Sequence, residues 1–225
     1  EKNKSAYAIS DESLNYSLID GYIKANGIKE KKKNAVQNQA IKSGLYASVR
    51  SVEIKDFSIW SVVFTDQIRA RSITVTVPEI IVYKQNDKGV NPKNIKNSVV
   101  APFEKIISVS DIYLYSGSAK VIYTKTEKAI LNVANINLQL EGITVDDGTL
   151  KSKIPFEFEK YSLKCDSLYY RANEFYHFTT QQISATQTGM SIDAFKMTPE
   201  YSRREFVKKI AKEKDLFVVS AKKIR

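Results

Sequence analysis

A one-sided alternation of apolar and polar residues at the centre of the chain constrains the fold most strongly. Between Lys128 and Leu150, apolar side chains alternate with amide and acidic side chains. Because successive side chains of a strand point to opposite faces, this segment has one apolar face and one polar face. The apolar positions are Leu131, Val133, Ile136, Leu138 and Leu140. They line either a closed core or an open groove, and the sequence leaves both alternatives open.

The alternation changes parity in the middle of this segment. Leu131 and Val133 occupy odd positions, whereas the apolar series from Ile136 onward occupies even positions. A strand that keeps one face buried needs an extra residue at such a point, which predicts a β-bulge near Ala134. The sequence Asp146-Asp147-Gly148 then predicts the turn that ends the strand.

Similar strands are predicted along most of the chain. The segment 14–28 reads as a strand pair turning near Gly21 or as a short amphipathic helix. The other predicted strands are 47–56, 67–84 with a hinge at Pro78, 105–115 and 119–126 as a hairpin around Ser116-Gly117-Ser118, 151–159, 161–170, 175–185, 190–197 and 216–224. The fold class predicted is therefore mainly β, with antiparallel strands in curved or sandwich-like sheets and weakly repeated strand units.

The chain is long enough to form one or two domains. We expect a β-rich domain over residues 45–225, which follows a less readable N-terminal segment, 1–44. The sequence Asn86-Asp87-Lys88-Gly89 and Pro92 mark a long loop, 85–102, at which the domain is expected to subdivide.

One amphipathic helix is predicted near the C-terminus, over Ser202–Lys214. Ser202 and Glu205 have the spacing of a capping box. The apolar stripe of this helix consists of Phe206, Val207, Ile210 and Ala211. We expect the stripe to dock on the sheet and to close one end or face of it. Candidate contacts for a lipid headgroup or a partner protein are Lys208, Lys209 and Lys212.

The formal net charge of +10 admits a nucleic-acid partner as an alternative. Nucleic-acid binding needs basic and aromatic residues on one surface. The cluster that offers them consists of Tyr169, Tyr170, Arg171, Phe175 and Tyr176. The same charge also suits an anionic membrane surface or simple solubility.

The sequence predicts neither an enzyme nor a bound metal or cofactor. With one cysteine, Cys165, and one histidine, His177, the chain has too few ligands for a His/Cys zinc site. Cys165 occupies an apolar parity, which favours a buried inert thiol over a Cys–His nucleophilic pair. Asp146 and Asp147 are interpreted as turn formers, and no small-molecule substrate is evident.

Several segments resemble those of AsmA-like and TamB-like cell-envelope proteins of Gram-negative bacteria. The resemblance covers about residues 49–224 and lies in the apolar spacing of DFSIWSVVF, SITVTVPEIIVYK, ANINLQLEGI, DSLYYRANEFYHFTTQQIS and MTPEYSRREFVKKI. It implies a fragment of a periplasmic β-rich body, tethered to a membrane in the full-length protein by an N-terminal anchor. It also implies a role in binding or guiding lipid or in outer-membrane assembly, with lipid or envelope proteins as partners. The alternatives are a protein-interaction or scaffold domain without ligand and a basic nucleic-acid-binding β domain.

Overall fold

The computed structural model describes residues 7–32, 44–58, 68–84, 107–144, 156–209 and 215–225. Eleven strands and one helix lie in these ranges. The strands are β1 (Tyr7–Ser10), β2 (Ser13–Ser17), β3 (Tyr22–Lys32), β4 (Gly44–Lys55), β5 (Ile68–Lys84), β6 (Ile107–Tyr123), β7 (Lys128–Glu141), β8 (Lys160–Arg171), β9 (Tyr176–Thr186), β10 (Gly189–Pro199) and β11 (Val219–Ile224), and the helix is α1 (Arg203–Lys209).

All eleven strands belong to one sheet, in the order β1-β3-β4-β5-β6-β7-β8-β9-β10-β11. β1 and β2 both pair with β3, so together they act as one interrupted edge strand. Neighbouring strands are antiparallel except for β5 and β6, which run parallel over their whole length. The predicted fold class, mainly β with antiparallel strands and one helix near the C-terminus, is confirmed, with the parallel pair β5–β6 as an exception. The described part of the helix is Arg203–Lys209, and residues 210–214 of the predicted helix lie outside the described residues.

A change of parity like that of β7 recurs in the other long strands. In each of these strands, the apolar side chains occupy every second position except at one point. There, two successive residues lie on the face opposite to the apolar side chains. The pairs of flanking residues are Ala25/Ile28, Val49/Val52, Val75/Pro78, Leu114/Gly117, Val133/Ile136, Cys165/Leu168, Thr180/Ile183, Ile192/Phe195 and Ala221/Ile224. Strand pairing brings these breaks to nearly the same level across the sheet.

Residues with positive φ mark these breaks in six strands. They are Gly27, Val77, Ser116, Asn135, Gln182 and Lys223, with φ between 49° and 63°, and we call them the bend row. A left-handed residue inside a strand turns the chain, and side chains other than glycine adopt it with strain. The bend row therefore divides each of these strands into two differently directed parts.

At Gly117, strand β6 bends toward the apolar face. A Cβ atom built on Gly117 would lie 2.7 Å from Cδ2 of Leu114 and 3.1 Å from Cγ of Pro78. In a flat strand, residues three apart point to opposite faces and are separated by about 10 Å. Because the Leu114 side chain reaches Gly117, the two residues share a face and the strand is bent around it.

The predicted hairpin around Ser116-Gly117-Ser118 is wrong, because this sequence lies in the middle of the 17-residue strand β6. The sequence Ser-Gly-Ser is typical of a turn, but here it forms the bend within a continuous strand. The predicted β-bulge near Ala134 is confirmed. Between Val133 and Ile136, β7 has one residue more than the opposing stretch of β6 from Gly117 to Ala119.

The predicted hinge at Pro78 lies within one continuous strand, β5, next to the bend-row residue Val77. The segment 14–28 forms the strand pair rather than the helix. The predicted 85–102 loop and the Asp146-Asp147-Gly148 turn lie outside the described residues, as do residues 1–6 and 33–43 of the N-terminal segment.

The helix α1 begins with the predicted capping box. The Ser202 hydroxyl and backbone N–H donate hydrogen bonds to Glu205 Oε2 at 2.6 and 3.0 Å. These bonds lower the pKa of the Glu205 carboxyl. Phe206 is 3% exposed, whereas Val207 is 66% exposed, so the prediction that Val207 belongs to the buried stripe is wrong. Ile210, Ala211 and Lys212 lie outside the described residues.

Replacing Val77 with glycine is expected to raise the free energy of unfolding by about 1 kcal/mol. Val77 has φ of 50°, a conformation that a β-branched residue adopts with strain and glycine adopts freely. Urea denaturation of the wild type and of Val77→Gly measures the difference. The matched control is Val75→Gly in the same strand, which removes a side chain from the apolar face and is expected to destabilise. If both variants lose stability equally, the strain at Val77 is absent.

Candidate functional site

One face of the sheet, which we call the inner face, carries an apolar series of side chains in both parts of each long strand. In β7 it includes the five positions predicted from the sequence. Leu140 is 8% exposed, and Leu131, Val133, Ile136 and Leu138 are half-buried. Leu138 lies opposite Leu114 of β6 and Leu163 of β8, and Val133 lies opposite Ala119 and Leu168. The strand pairing thus extends each of these positions into an apolar row across the sheet.

Aromatic side chains continue the inner face over β8, β9 and β10. The ring centroids of Tyr170 and Phe178 are 6.4 Å apart, and those of Phe178 and Phe195 are 5.7 Å apart. Tyr170 is nevertheless 39% exposed. Contacts between neighbouring strands therefore cover the sides of these rings but leave part of their surface accessible.

The inner face is covered only partly by the residues that the structure describes. Among them, the buried apolar side chains are Phe57, Ala70, Pro78, Val121, Leu140, Cys165 and Phe206, and the smallest exposed fraction given for this set is 3%, at Val121 and Phe206. In a sheet that packs against a second layer, the central inward side chains would be excluded from water. The described strands instead form one layer with an accessible apolar surface.

The opposite face, which we call the outer face, carries most of the exposed polar side chains of the long strands. Its exposed side chains include Arg50, Glu79, Gln139, Lys164, Asp166, Gln181, Gln182, Asp193 and Lys196. Charged and amide groups at these positions keep this face hydrated. Apolar groups also lie on the outer face, namely Ile81, the contacting rings of Tyr46 and Tyr83, and the stacked rings of Tyr113 and Tyr115. The outer face is therefore more polar than the inner face, but not uniformly polar.

Asparagine side chains replace ladder hydrogen bonds on the outer face of the bend. Asn137 Oδ1 accepts a hydrogen bond from the Ser116 N–H at 3.1 Å, and Asn137 Nδ2 donates to the Asn135 carbonyl oxygen at 3.1 Å. Asn135 Nδ2 donates to Asp166 Oδ2 at 2.9 Å. Because the Asn137 amide bonds backbone groups of both β6 and β7 at the irregular part of their ladder, it stabilises the bent geometry.

The helix α1 lies at one end of the inner face. The Phe206 ring contacts those of Phe175 and Tyr176, with centroid distances of 5.6 and 6.2 Å. Lys208 and Lys209 are exposed in the last turn, and Lys209 Nζ lies 4.5 Å from the centroid of the Tyr201 ring. Two of the three predicted headgroup contacts thus lie beside the end of the apolar surface.

Cys165 and His177 are not brought together. Cys165 lies on the inner face opposite Ile183, six residues along β9 from His177, which lies on the outer face. Burial is the main cause that raises the pKa of the Cys165 thiol, with a smaller contribution from Asp166. The thiol therefore stays protonated near neutral pH, as expected for a buried structural cysteine.

A polar cluster on the outer face was missed by the sequence reasoning. His177 Nδ1 lies 2.8 Å from Glu200 Oε1, and the Tyr169 hydroxyl lies 3.5 Å from the same oxygen. Burial and the nearby Glu200 carboxylate raise the pKa of the Tyr169 hydroxyl. No spacing rule connects residues 169, 177 and 200, because their proximity depends on the pairing of β8, β9 and β10.

The basic and aromatic cluster considered for nucleic-acid binding does not form one surface. Tyr169 and Arg171 lie on the outer face, and Tyr170 lies on the inner face. Phe175 and Tyr176 pack against Phe206. The five side chains are thus divided between the two faces and the helix contact.

Within the described ranges, no group of three or more His, Cys, Asp and Glu side chains is arranged to hold a metal ion. No helix in the described part of the chain is long and apolar enough to cross a membrane. Comparison of the chain with known proteins finds neither a matching family model nor a matching curated protein.

Proposed function

We propose that this chain is a domain of a bacterial cell-envelope protein and binds lipid along its inner face. The observation that carries the proposal is the accessible apolar surface of the sheet, toward which β6 bends at Gly117. An acyl chain laid on it would remove apolar area from water, with a gain of about 0.8 kcal/mol for each buried methylene group. The resemblance to AsmA-like and TamB-like proteins supports a periplasmic location and a membrane tether in the full-length protein.

The charged groups at the end of the inner face favour an anionic headgroup. Lys208 and Lys209 are exposed beside the ring cluster around Phe206. A lipid with its acyl chain on the inner face can place a phosphate next to these ammonium groups. Because such exposed charges are screened by salt, the headgroup contribution weakens as the ionic strength rises.

Replacing Leu138 with asparagine is expected to weaken lipid binding about fivefold while changing the free energy of unfolding by less than about 1 kcal/mol. Leu138 is half-buried at the centre of the inner face, so an amide there stays accessible to water. Native mass spectrometry of protein purified from bacterial membranes measures bound lipid, and thermal melts measure stability. The matched control is Gln139→Asn, which changes the adjacent outer-face residue and leaves both quantities unchanged.

The alternative of a closed core predicts the opposite pair of results. An unmatched amide in a closed core lowers stability by about 1–3 kcal/mol. A lipid-free wild type together with a strongly destabilised Leu138→Asn variant would contradict lipid binding.

A further inference from the structure

The inner face changes its chemistry between β7 and β8. In one row across the sheet, the aliphatic side chains of β5, β6 and β7 are followed by aromatic rings in β8 and β9. The members of this row are Val82, Val121, Leu131, Tyr170 and Phe178. A molecule that lies across the strands therefore meets an aliphatic surface at one end and a surface of rings and hydroxyl groups at the other.

Thr180 differs from the other residues of this surface because its hydroxyl is buried and unpaired. The next row across the sheet places Thr180 between Leu168 of β8 and Phe195 of β10. Thr180 is 7% exposed and is the one buried polar residue among those that the structure describes. Its Oγ1 has no hydrogen-bond partner in the described part of the chain. Because a buried hydroxyl without a partner is unfavourable, a ligand with an acceptor at this point removes that cost.

A second hydroxyl lies close to the first. Tyr170 is the diagonal neighbour of Thr180 across the β8–β9 pair, because Tyr170 lies opposite Phe178 and Leu168 lies opposite Thr180. Diagonal neighbours on one face of such a pair are about 7–8 Å apart, within the reach of a long side chain. Tyr170 is 39% exposed, so part of its side chain is accessible to a ligand. We call Thr180 and Tyr170 the hydroxyl pair.

The position of the hydroxyl pair relative to α1 fits a ligand with a polar headgroup. Tyr176 and Thr180 share the inner face of β9, and Tyr176 contacts Phe206 of α1. A ligand with an acceptor at Thr180 can therefore extend its polar end along β9 toward Lys208 and Lys209. Its hydrocarbon end then lies across the aliphatic part of the row, over β7, β6 and β5.

We infer that the hydroxyl pair binds the ester group of an acyl lipid. This inference rests on the proposed function and specifies the class of lipid, an ester-linked anionic phospholipid. The ester carbonyl oxygen accepts hydrogen bonds and donates none, so it complements a hydroxyl donor that has no partner. Since Thr180 is buried, a neighbouring side chain must move for the carbonyl to reach it, and the new hydrogen bond favours that movement.

Competition between two lipids that differ only in this linkage tests the inference. The protein is incubated with vesicles containing equal amounts of a diacyl phosphatidylglycerol and its dialkyl ether analogue, which lacks the carbonyl oxygens. Native mass spectrometry measures the ratio of the two bound lipids. We expect the wild type to prefer the diacyl lipid about tenfold, the effect of a hydrogen bond made in a largely dry site. Thr180→Val is expected to abolish most of this preference, and Tyr170→Phe to reduce it.

The matched control is Thr179→Val, which removes a hydroxyl from the adjacent position on the outer face, opposite Tyr169. This variant is expected to keep the preference of the wild type. Thermal melts separate binding from folding. Because Thr180→Val removes an unpaired buried hydroxyl and keeps the shape of the side chain, it is expected to melt no lower than the wild type.

Two outcomes would overturn the ester site and leave lipid binding by the inner face intact. One is a wild type that binds both lipids equally, and the other is a Thr180→Val variant that keeps the full preference. A wild type that binds neither lipid would contradict the proposed function, and the ester site with it.

Discussion

Replacing Phe206 with alanine is expected to lower the free energy of unfolding by about 3–5 kcal/mol, the range for removing a buried aromatic side chain. Phe206 is 3% exposed and contacts the rings of Phe175 and Tyr176. Its removal leaves a cavity between α1 and the beginning of β9. Denaturant unfolding followed by circular dichroism measures the loss.

The control for this change is Val207→Ala in the same helix. Val207 is 66% exposed, so its truncation is expected to change stability by no more than about 0.5 kcal/mol. Coincident transitions of Phe206→Ala and the wild type would show that α1 does not dock on the end of the sheet.

Replacing Gly117 with alanine is expected to lower the free energy of unfolding by about 1–3 kcal/mol. The added methyl group would lie 2.7 Å from Leu114 Cδ2 and 3.1 Å from Pro78 Cγ, both on the concave side of the bend. Either the side chains must move or the bend must open. Urea denaturation of the single variant measures the effect.

A double-mutant cycle assigns this loss to the contact with Leu114. Leu114→Ala removes the nearest atom, so adding Gly117→Ala to that variant is expected to cost less than it does in the wild type. If the two effects are additive, the side chain of Leu114 does not reach Gly117, and the bend at this position is not toward the apolar face.

The alternation of single strands was readable from the sequence because it depends only on neighbouring residues. Ile136, Leu138 and Leu140 identified the inner face of β7, and the change of parity after Val133 identified its bulge. The helix start was readable for the same reason, since Ser202 and Glu205 are three residues apart.

The bend row was not readable as a feature of the whole sheet. Its φ values above zero fall on residues such as Val77 and Gln182, which carry no turn signal. Ser116 and Gly117 do carry a turn signal, and this signal led to the incorrect prediction of a hairpin. Alignment of the bends depends on strand pairing over long distances, including the parallel pair β5–β6, which connects segments separated by residues 85–106.

The candidate site was readable only in part for a related reason. The five apolar positions of β7 were found, but whether another layer covers them is a property of the assembled sheet. The contact between His177 and Glu200 likewise joins residues 23 positions apart. Because side chains alternate along a strand, Tyr169 and Tyr170 lie on opposite faces of the sheet. Their adjacency in the sequence suggested one basic and aromatic surface, and their separation argues against that surface.

Photo-crosslinking from two adjacent positions of β7 tests lipid binding by the inner face most directly. A photoreactive amino acid replaces Leu138 on the inner face in one variant and Gln139 on the outer face in the other, and each is illuminated in bacterial membranes. We expect lipid adducts, identified by mass spectrometry, at position 138 and none at position 139. Adducts at neither position, or equal adducts at both, would contradict a lipid bound along the inner face.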